Sequence, residues 1–160
     1  MSGTLKRHYL FGRWADLGDR ISPEETDRVF DRRELEERSR LCRRTPLDTI
    51  LGILERTGRL LTDPAGRYRR ILLETMPEVT GYSLQGVELG LSILQHLLTR
   101  EVLEGRLACL GQPRILDGFL PLRHGRVARA LPLGTVCHIA AGNIFLGSVD
   151  SLLFGMTTKN

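Results

Sequence analysis

The chain has 160 residues and a mass of 18.0 kDa, room for one ordinary domain with a real core. It is 41% hydrophobic and 26% charged, which excludes wholesale disorder. Its formal charge of +4 comes from 21 Arg and 2 Lys against 19 acids. Basic and acidic side chains number 11 and 9 over residues 1–45, 7 and 8 over 46–110, and 5 and 2 over 111–160. No stretch forms a one-signed stripe, which argues against nucleic acid, whose binding needs clustered phosphate contacts. The three cysteines, Cys42, Cys109 and Cys137, are an odd count without a CxxC pair. That excludes a disulfide framework and a cysteine-based zinc site, and suits a reducing, cytoplasmic setting. The N-terminus shows no apolar signal-peptide core.

Residues 1–45 read as a charged helical segment. Ser22-Pro23-Glu24-Glu25 has the form of a helix start, with Ser as N-cap, Pro at the first position and acids in the first turn. The helix that follows has few apolar anchors: Val29, Phe30, Leu35 and Leu41. Thr45-Pro46-Leu47-Asp48 is a second start, and Leu47, Ile50, Leu51 and Leu54 then share one helical face. Asp63-Pro64 opens a third helix over Tyr68, Ile71, Leu72 and Met76, which Pro77 should end. Ser83 should cap a fourth, striped by Leu84, Val87, Leu91, Leu94 and Leu98 and stopping near Gly105. Residues 46–110 are therefore expected to form a helical layer.

Beyond residue 110 the texture changes. Gly and Pro punctuate short segments, and Ile115-Leu116, Arg126–Leu131 and Thr135–Ala140 read as strands. The last is nearly all apolar, as expected of a parallel strand buried on both faces. A tight turn at Ala141-Gly142-Asn143 and a helix over Ile144–Met156 complete a strand–turn–helix unit. From Leu131 to Val149 there are 19 residues without Asp, Glu, Lys or Arg. Pro132, Gly134, His138, Gly142, Asn143 and Gly147 interrupt that run, so it is read as buried α/β core and not as a membrane span.

The chemistry legible from residues alone is thin. Gly142 to Gly147 followed by Ser148 lacks the lysine of a phosphate-binding P-loop, which excludes that nucleotide-binding motif. Asn143 suits an N-cap, and could also aim its amide at a developing oxyanion. Cys137 and His138 are strand neighbours facing opposite ways, so they cannot form a nucleophile–base pair; Cys137 is expected to be a buried small thiol. Cys42 lies among Arg40, Arg43 and Arg44, which would lower its pKa, though an exposed inert thiol is the plainer reading. His8, His96 and His124 have no metal-ligand spacing, and no metal site is expected.

Thr80-Gly81-Tyr82-Ser83, Ile115-Leu116-Asp117-Gly118-Phe119, the run Pro132-Leu133-Gly134-Thr135-Val136-Cys137-His138-Ile139-Ala140-Ala141-Gly142-Asn143, and Gly155-Met156-Thr157-Thr158-Lys159-Asn160 together resemble the LuxC-type acyl-CoA reductases. That family belongs to the aldehyde dehydrogenase superfamily. The resemblance runs from about Pro46 to Asn160. It implies NADPH-dependent reduction of a fatty acyl-CoA or acyl-protein thioester to the aldehyde, through a cysteine acyl-enzyme. It places Asn143 as the oxyanion donor and Ala140, Ala141 and Gly142 against the cofactor. It makes the strands near 115–131 assembly strands, and implies a homo-oligomer with acyl-transferase or synthetase partner subunits.

The implied architecture is α/β and aldehyde-dehydrogenase-like. A helical layer precedes the first strand–helix unit of a Rossmann-type cofactor domain that starts within 111–160 and is incomplete. The nucleophilic cysteine and a ribose-binding lysine would lie past Asn160, so the chain reads as an N-terminal part, inactive alone. Two alternatives stay open. One is a CoA-acylating aldehyde dehydrogenase of short substrates. The other is a non-enzymatic helical interaction module.

Overall fold

The computed structural model describes residues 6–10, 13–17, 22–24, 31–139 and 146–160. The chain divides into two units, Met1–Arg38 and Ser39–Asn160. In the first, strands β1 (Lys6–Leu10) and β2 (Arg13–Leu17) pair antiparallel, Tyr9 opposite Trp14. This hairpin replaces the expected helical texture. Gly12 separates two runs carrying His8-Tyr9-Leu10 and Trp14, and aromatic residues favour paired strands. Pro23 and Glu24 are helical, as the Ser22 start predicts.

The predicted helix does not run through unbroken to Leu41, however. Asp31 is non-helical, and its Oδ1 accepts from the backbone N–H of Arg33 at 2.8 Å. Helix α1 (Arg32–Arg44) begins there. It buries no residue, and Leu41 is well exposed. Val29 and Phe30 lie outside the described residues.

The second unit is mostly helical. Helix α2 (Leu47–Thr62) follows Pro46, and the face read from its spacing is the buried one: Leu47, Ile50, Leu51 and Leu54. Thr45 does not cap it; its hydroxyl donates back to the Leu41 carbonyl. The third helix starts later than Asp63-Pro64 predicts. Asp63 instead holds a turn, accepting from the Ala65 N–H at 3.0 Å, and α3 covers Arg67–Thr80. It also continues past Pro77. A proline near a C-terminus removes one donor without breaking the last turn. The true stop is Gly81, whose φ of +76° suits glycine and whose N–H donates to the Pro77 carbonyl at 2.9 Å.

Ser83 caps the next helix as predicted, its hydroxyl accepting from the Gly86 N–H at 3.1 Å. The apolar stripe does not belong to one helix, however. Helix α4 (Leu84–Leu97) ends at Leu98, and α5 (Arg100–Leu107) starts after Thr99, so Gly105 is interior. The break turns Leu103 and Leu107 into the same core as Leu94 and Leu98. Close approach of α2 to this break needs Gly58: a Cβ there would sit 2.7 Å from Leu98 Cβ.

Ion pairs span these helices at the surface. Arg100 bonds Asp48 at 2.6 Å, Arg69 lies 3.6 Å from Glu88, and Arg106 pairs with Asp150. Arg100's hydrogen bond to Asp48 raises its pKa further.

The predicted strands are mostly not present. Pro113–Leu116 is a 3-10 turn, not a strand. Within Arg126–Leu131 only Val127–Ala128 (β4) is a strand, paired antiparallel with β3 (Leu120–Pro121). Thr135–Ile139 is not a strand, and Leu133 and Ile139 are 91% and 96% exposed. An apolar sequence becomes a two-face-buried strand only beside neighbouring strands, and none flanks this one among the described residues. Cys137 is correspondingly exposed, not buried. Helix α6 (Gly147–Thr157) follows and contributes Leu153 to the core. No helix among the described residues is long and apolar enough to cross a membrane.

Candidate functional site

Ala140, Ala141, Gly142 and Asn143 lie outside the described residues. What the structure describes is the frame on either side of them. Upstream, the Leu133 and Gly134 N–H groups donate to Asn160 Oδ1 at 2.6 and 3.3 Å. Downstream, α6 carries Ser151, whose Oγ is 2.8 Å from His138 Nδ1. The imidazole lies so close over the next turn that a Cβ on Gly155 would fall 2.8 Å from His138 Nε2. His138 is therefore engaged on α6, and Gly155 is the residue that admits it.

The end of α6 is built with unusual economy. Lys159 has φ +63°, its N–H donates to the Met156 carbonyl at 3.1 Å, and the Asn160 N–H donates to Gly155 at 2.9 Å. This is the two-bond helix stop that glycine normally occupies. A lysine here carries a steric cost of about 1 kcal/mol. Its side chain accounts for its presence. Lys159 is 2% exposed, and its ammonium donates to Asp117 Oδ1 at 2.5 Å. The same carboxylate oxygen accepts from the Leu47 N–H at 3.0 Å, capping α2 from 70 residues away.

Asp117 and Lys159 belong to two of the four quoted motifs, and Asn160 reaches a third. The sequence reading missed all three contacts. One signal pointed there: Lys159 is one of only two lysines in a chain with 21 arginines. A compact ammonium fits a narrow buried site that a guanidinium would overfill.

The cysteines do not resemble a nucleophile. Cys42 is half-buried, not exposed, and burial pushes its thiol up despite the opposing charge of Lys159. Cys109 donates to the Arg106 carbonyl. Cys42 should accordingly be alkylated more slowly than the exposed Cys109 and Cys137 at mildly alkaline pH, where a raised pKa leaves less thiolate. Peptide mass mapping after brief iodoacetamide treatment checks this; equal labelling of all three would contradict it.

No group of three His, Cys, Asp or Glu among the described residues could hold a metal. A cleft of about 480 Å³ beside Asp117 is lined by Asp48, Arg100, Glu104 and Arg114 among others. Its lining is of mixed charge and comes from α2, α5 and the 113–117 segment. The residues expected against the cofactor lie outside the described ones; among the described motif residues, Lys159 is buried and paired, and Leu133 and Ile139 are exposed.

A model of the LuxC acyl-CoA reductase family matches residues 42–160. The chain belongs to the LuxC acyl-CoA reductase family. It is also 31% identical over 116 residues to a long-chain acyl-protein thioester reductase of Vibrio harveyi. That alignment covers 71% of this chain and 24% of the relative, so the chain spans about a quarter of the length of the curated relative it matches. No solved structure matches. The LuxC match takes in all four quoted motifs and therefore the whole Asp117–Lys159–Asn160 contact set.

Proposed function

We propose that this LuxC-family chain serves in the NADPH-dependent reduction of a fatty acyl thioester, carried by CoA or a protein, to the aldehyde. The family match over 42–160 is the observation that carries this reading. In the proposed reaction a cysteine thiolate attacks the thioester carbonyl and expels the carrier thiol. NADPH, when bound, would supply the hydride that lets the cysteine depart as the acyl group is released as the aldehyde, with Ala140, Ala141 and Gly142 as the residues that would hold it. In this reading 46–110 is the helical layer and 111–160 starts an aldehyde-dehydrogenase-like cofactor domain with assembly strands. Ala140, Ala141 and Gly142 lie against the cofactor, and Asn143 donates to the oxyanion. The acting cysteine is none of Cys42, Cys109 and Cys137. The reading includes a cytoplasmic homo-oligomer with acyl-transferase or synthetase partners.

The chain alone should not oxidise NADPH with tetradecanoyl-CoA, followed by NADPH absorbance. Turnover by it would overturn inactivity of the isolated chain. The reductase reading itself is tested in the Vibrio harveyi relative, with this chain replacing the aligned segment. A cooperatively folded chimera should reduce the long-chain thioester in preference to acetyl-CoA. A folded chimera without thioester reduction would count against the reading, and preference for acetyl-CoA would favour a short-substrate enzyme.

A further inference from the structure

We infer that the turn between β3 and β4 is a peripheral docking surface for an anionic lipid bilayer. This goes beyond the reductase reading and does not depend on it. The assembly role concerns the strands; the docking surface is the turn that joins two of them, with the side chains beside it.

The turn projects from the second unit. The Leu122 N–H donates to the Arg126 carbonyl at 2.6 Å, and the reversal between them runs through two consecutive left-handed residues, His124 at φ +61° and Gly125 at φ +69°. Every residue from Pro121 to Val127 is exposed. A convex tip of this kind is no pocket for a small ligand, which needs concave walls. Its shape suits an extended surface.

The charge of the tip has one sign. Residues 118–149 contain three Arg and no Asp, Glu or Lys. The acids of 111–160 are Asp117 and Asp150, and both are held in ion pairs, with Lys159 and Arg106. Arg123, Arg126 and Arg129 have no acidic partner among the described residues. A charge balance over the whole of 111–160 conceals this, because both acids lie outside the hairpin.

Apolar side chains stand in water between these arginines. Phe119, Leu122, Val127 and Leu131 are 49–76% exposed, and the Arg129 guanidinium lies over the Phe119 ring at 5.7 Å. Nucleic acid would match the charge and leave the apolar share uncovered. An acidic protein would need a concave seat for the tip. An anionic bilayer takes both kinds of side chain: its headgroups pair with the guanidinium groups, and its acyl boundary admits the apolar ones.

The test is co-sedimentation of the full chain with vesicles of phosphatidylcholine containing about one-third phosphatidylserine, against pure phosphatidylcholine. Binding should need the anionic lipid and weaken with added salt. Arg123→Gln, Arg126→Gln and Arg129→Gln should each weaken it about fivefold, and the triple variant on the order of a hundredfold. Leu122→Ser should weaken it several-fold with the charge intact. Equal binding to both vesicles, or binding that survives the triple variant, would mean general apolar adhesion and overturn the proposal. So would absence of vesicle binding, whether the arginines instead hold polyglutamate, as an acidic protein partner requires, or a second copy whose loss in the triple variant shows in the sedimenting mass. Should the triple variant not fold, Arg126→Gln alone decides by the same fivefold loss. No signal here needs turnover, so failure of docking and failure of the reductase reading are separate results.

Discussion

Replacing Asp117 with alanine is expected to lower the stability of the folded chain by about 3 kcal/mol, because it leaves a buried ammonium without its partner. The two ends of this pair differ sharply in burial. The Lys159 side chain is 2% exposed and the Asp117 side chain 40%. Removing Asp117 therefore orphans the charge that cannot reach water, and also uncaps α2 at Leu47. Lys159→Met removes the buried charge itself, keeps an unbranched side chain, and leaves Asp117 partly solvated and still capping. Its cost should be less than ~1 kcal/mol, in line with apolar replacement of buried ionic groups. Urea denaturation midpoints of both variants check the asymmetry. Equal losses would mean that the ammonium is not desolvated as the structure describes.

Leu103→Ala should cost about 3 kcal/mol, with the same denaturation readout. Leu103 is 1% exposed and belongs to the cluster that includes Leu51, Leu54, Leu91, Leu94 and Leu98. A cavity at this point sits where α5 turns back on α2 and α4, and little nearby can collapse into it. Leu133→Ala is the matched control. Its side chain is 91% exposed, and its hydrogen bond to Asn160 uses the main chain, so stability should shift by less than ~0.5 kcal/mol. A Leu103→Ala variant as stable as Leu133→Ala would remove the case for a core centred on the α4–α5 break.

Local signals in the sequence were reliable where the governing interaction is local. The i, i+3, i+4, i+7 spacing of Leu47, Ile50, Leu51 and Leu54 marks the buried face of α2. Ser83 three residues before Gly86 marks a real cap. Pro77 misled because its lost hydrogen bond is tolerated one turn before a glycine stop. The Leu84–Leu98 stripe misled for another reason. Apolar spacing continues across a break when both helices face the same core, so periodicity cannot locate Leu98-Thr99.

The run Thr135–Ile139 has a composition that suits a central strand, yet strand formation depends on neighbours supplied from elsewhere. The contacts of Asp117 with Leu47 and Lys159, and of Asn160 with Leu133, join residues 70, 42 and 27 positions apart. No window of sequence contains them. The motifs that carry the family resemblance lie far apart in sequence, where spacing arguments do not reach. Of the four motifs, the structure joins described members of three, 115–119, 132–143 and 155–160, through Asp117, Lys159, Asn160, Leu133 and Gly134.

A helix that ends on glycine terminates by itself. Helix α6 ends on a lysine whose left-handed backbone is compensated by a carboxylate 42 residues upstream. Its stop is therefore conditional. Closing such wide loops costs chain entropy before any contact is gained, so α2 to α5 can consolidate first while the end of α6 waits for Asp117 to be in place. The end of α6 is thus completed by a carboxylate outside the helix itself, one that also holds the first N–H of α2.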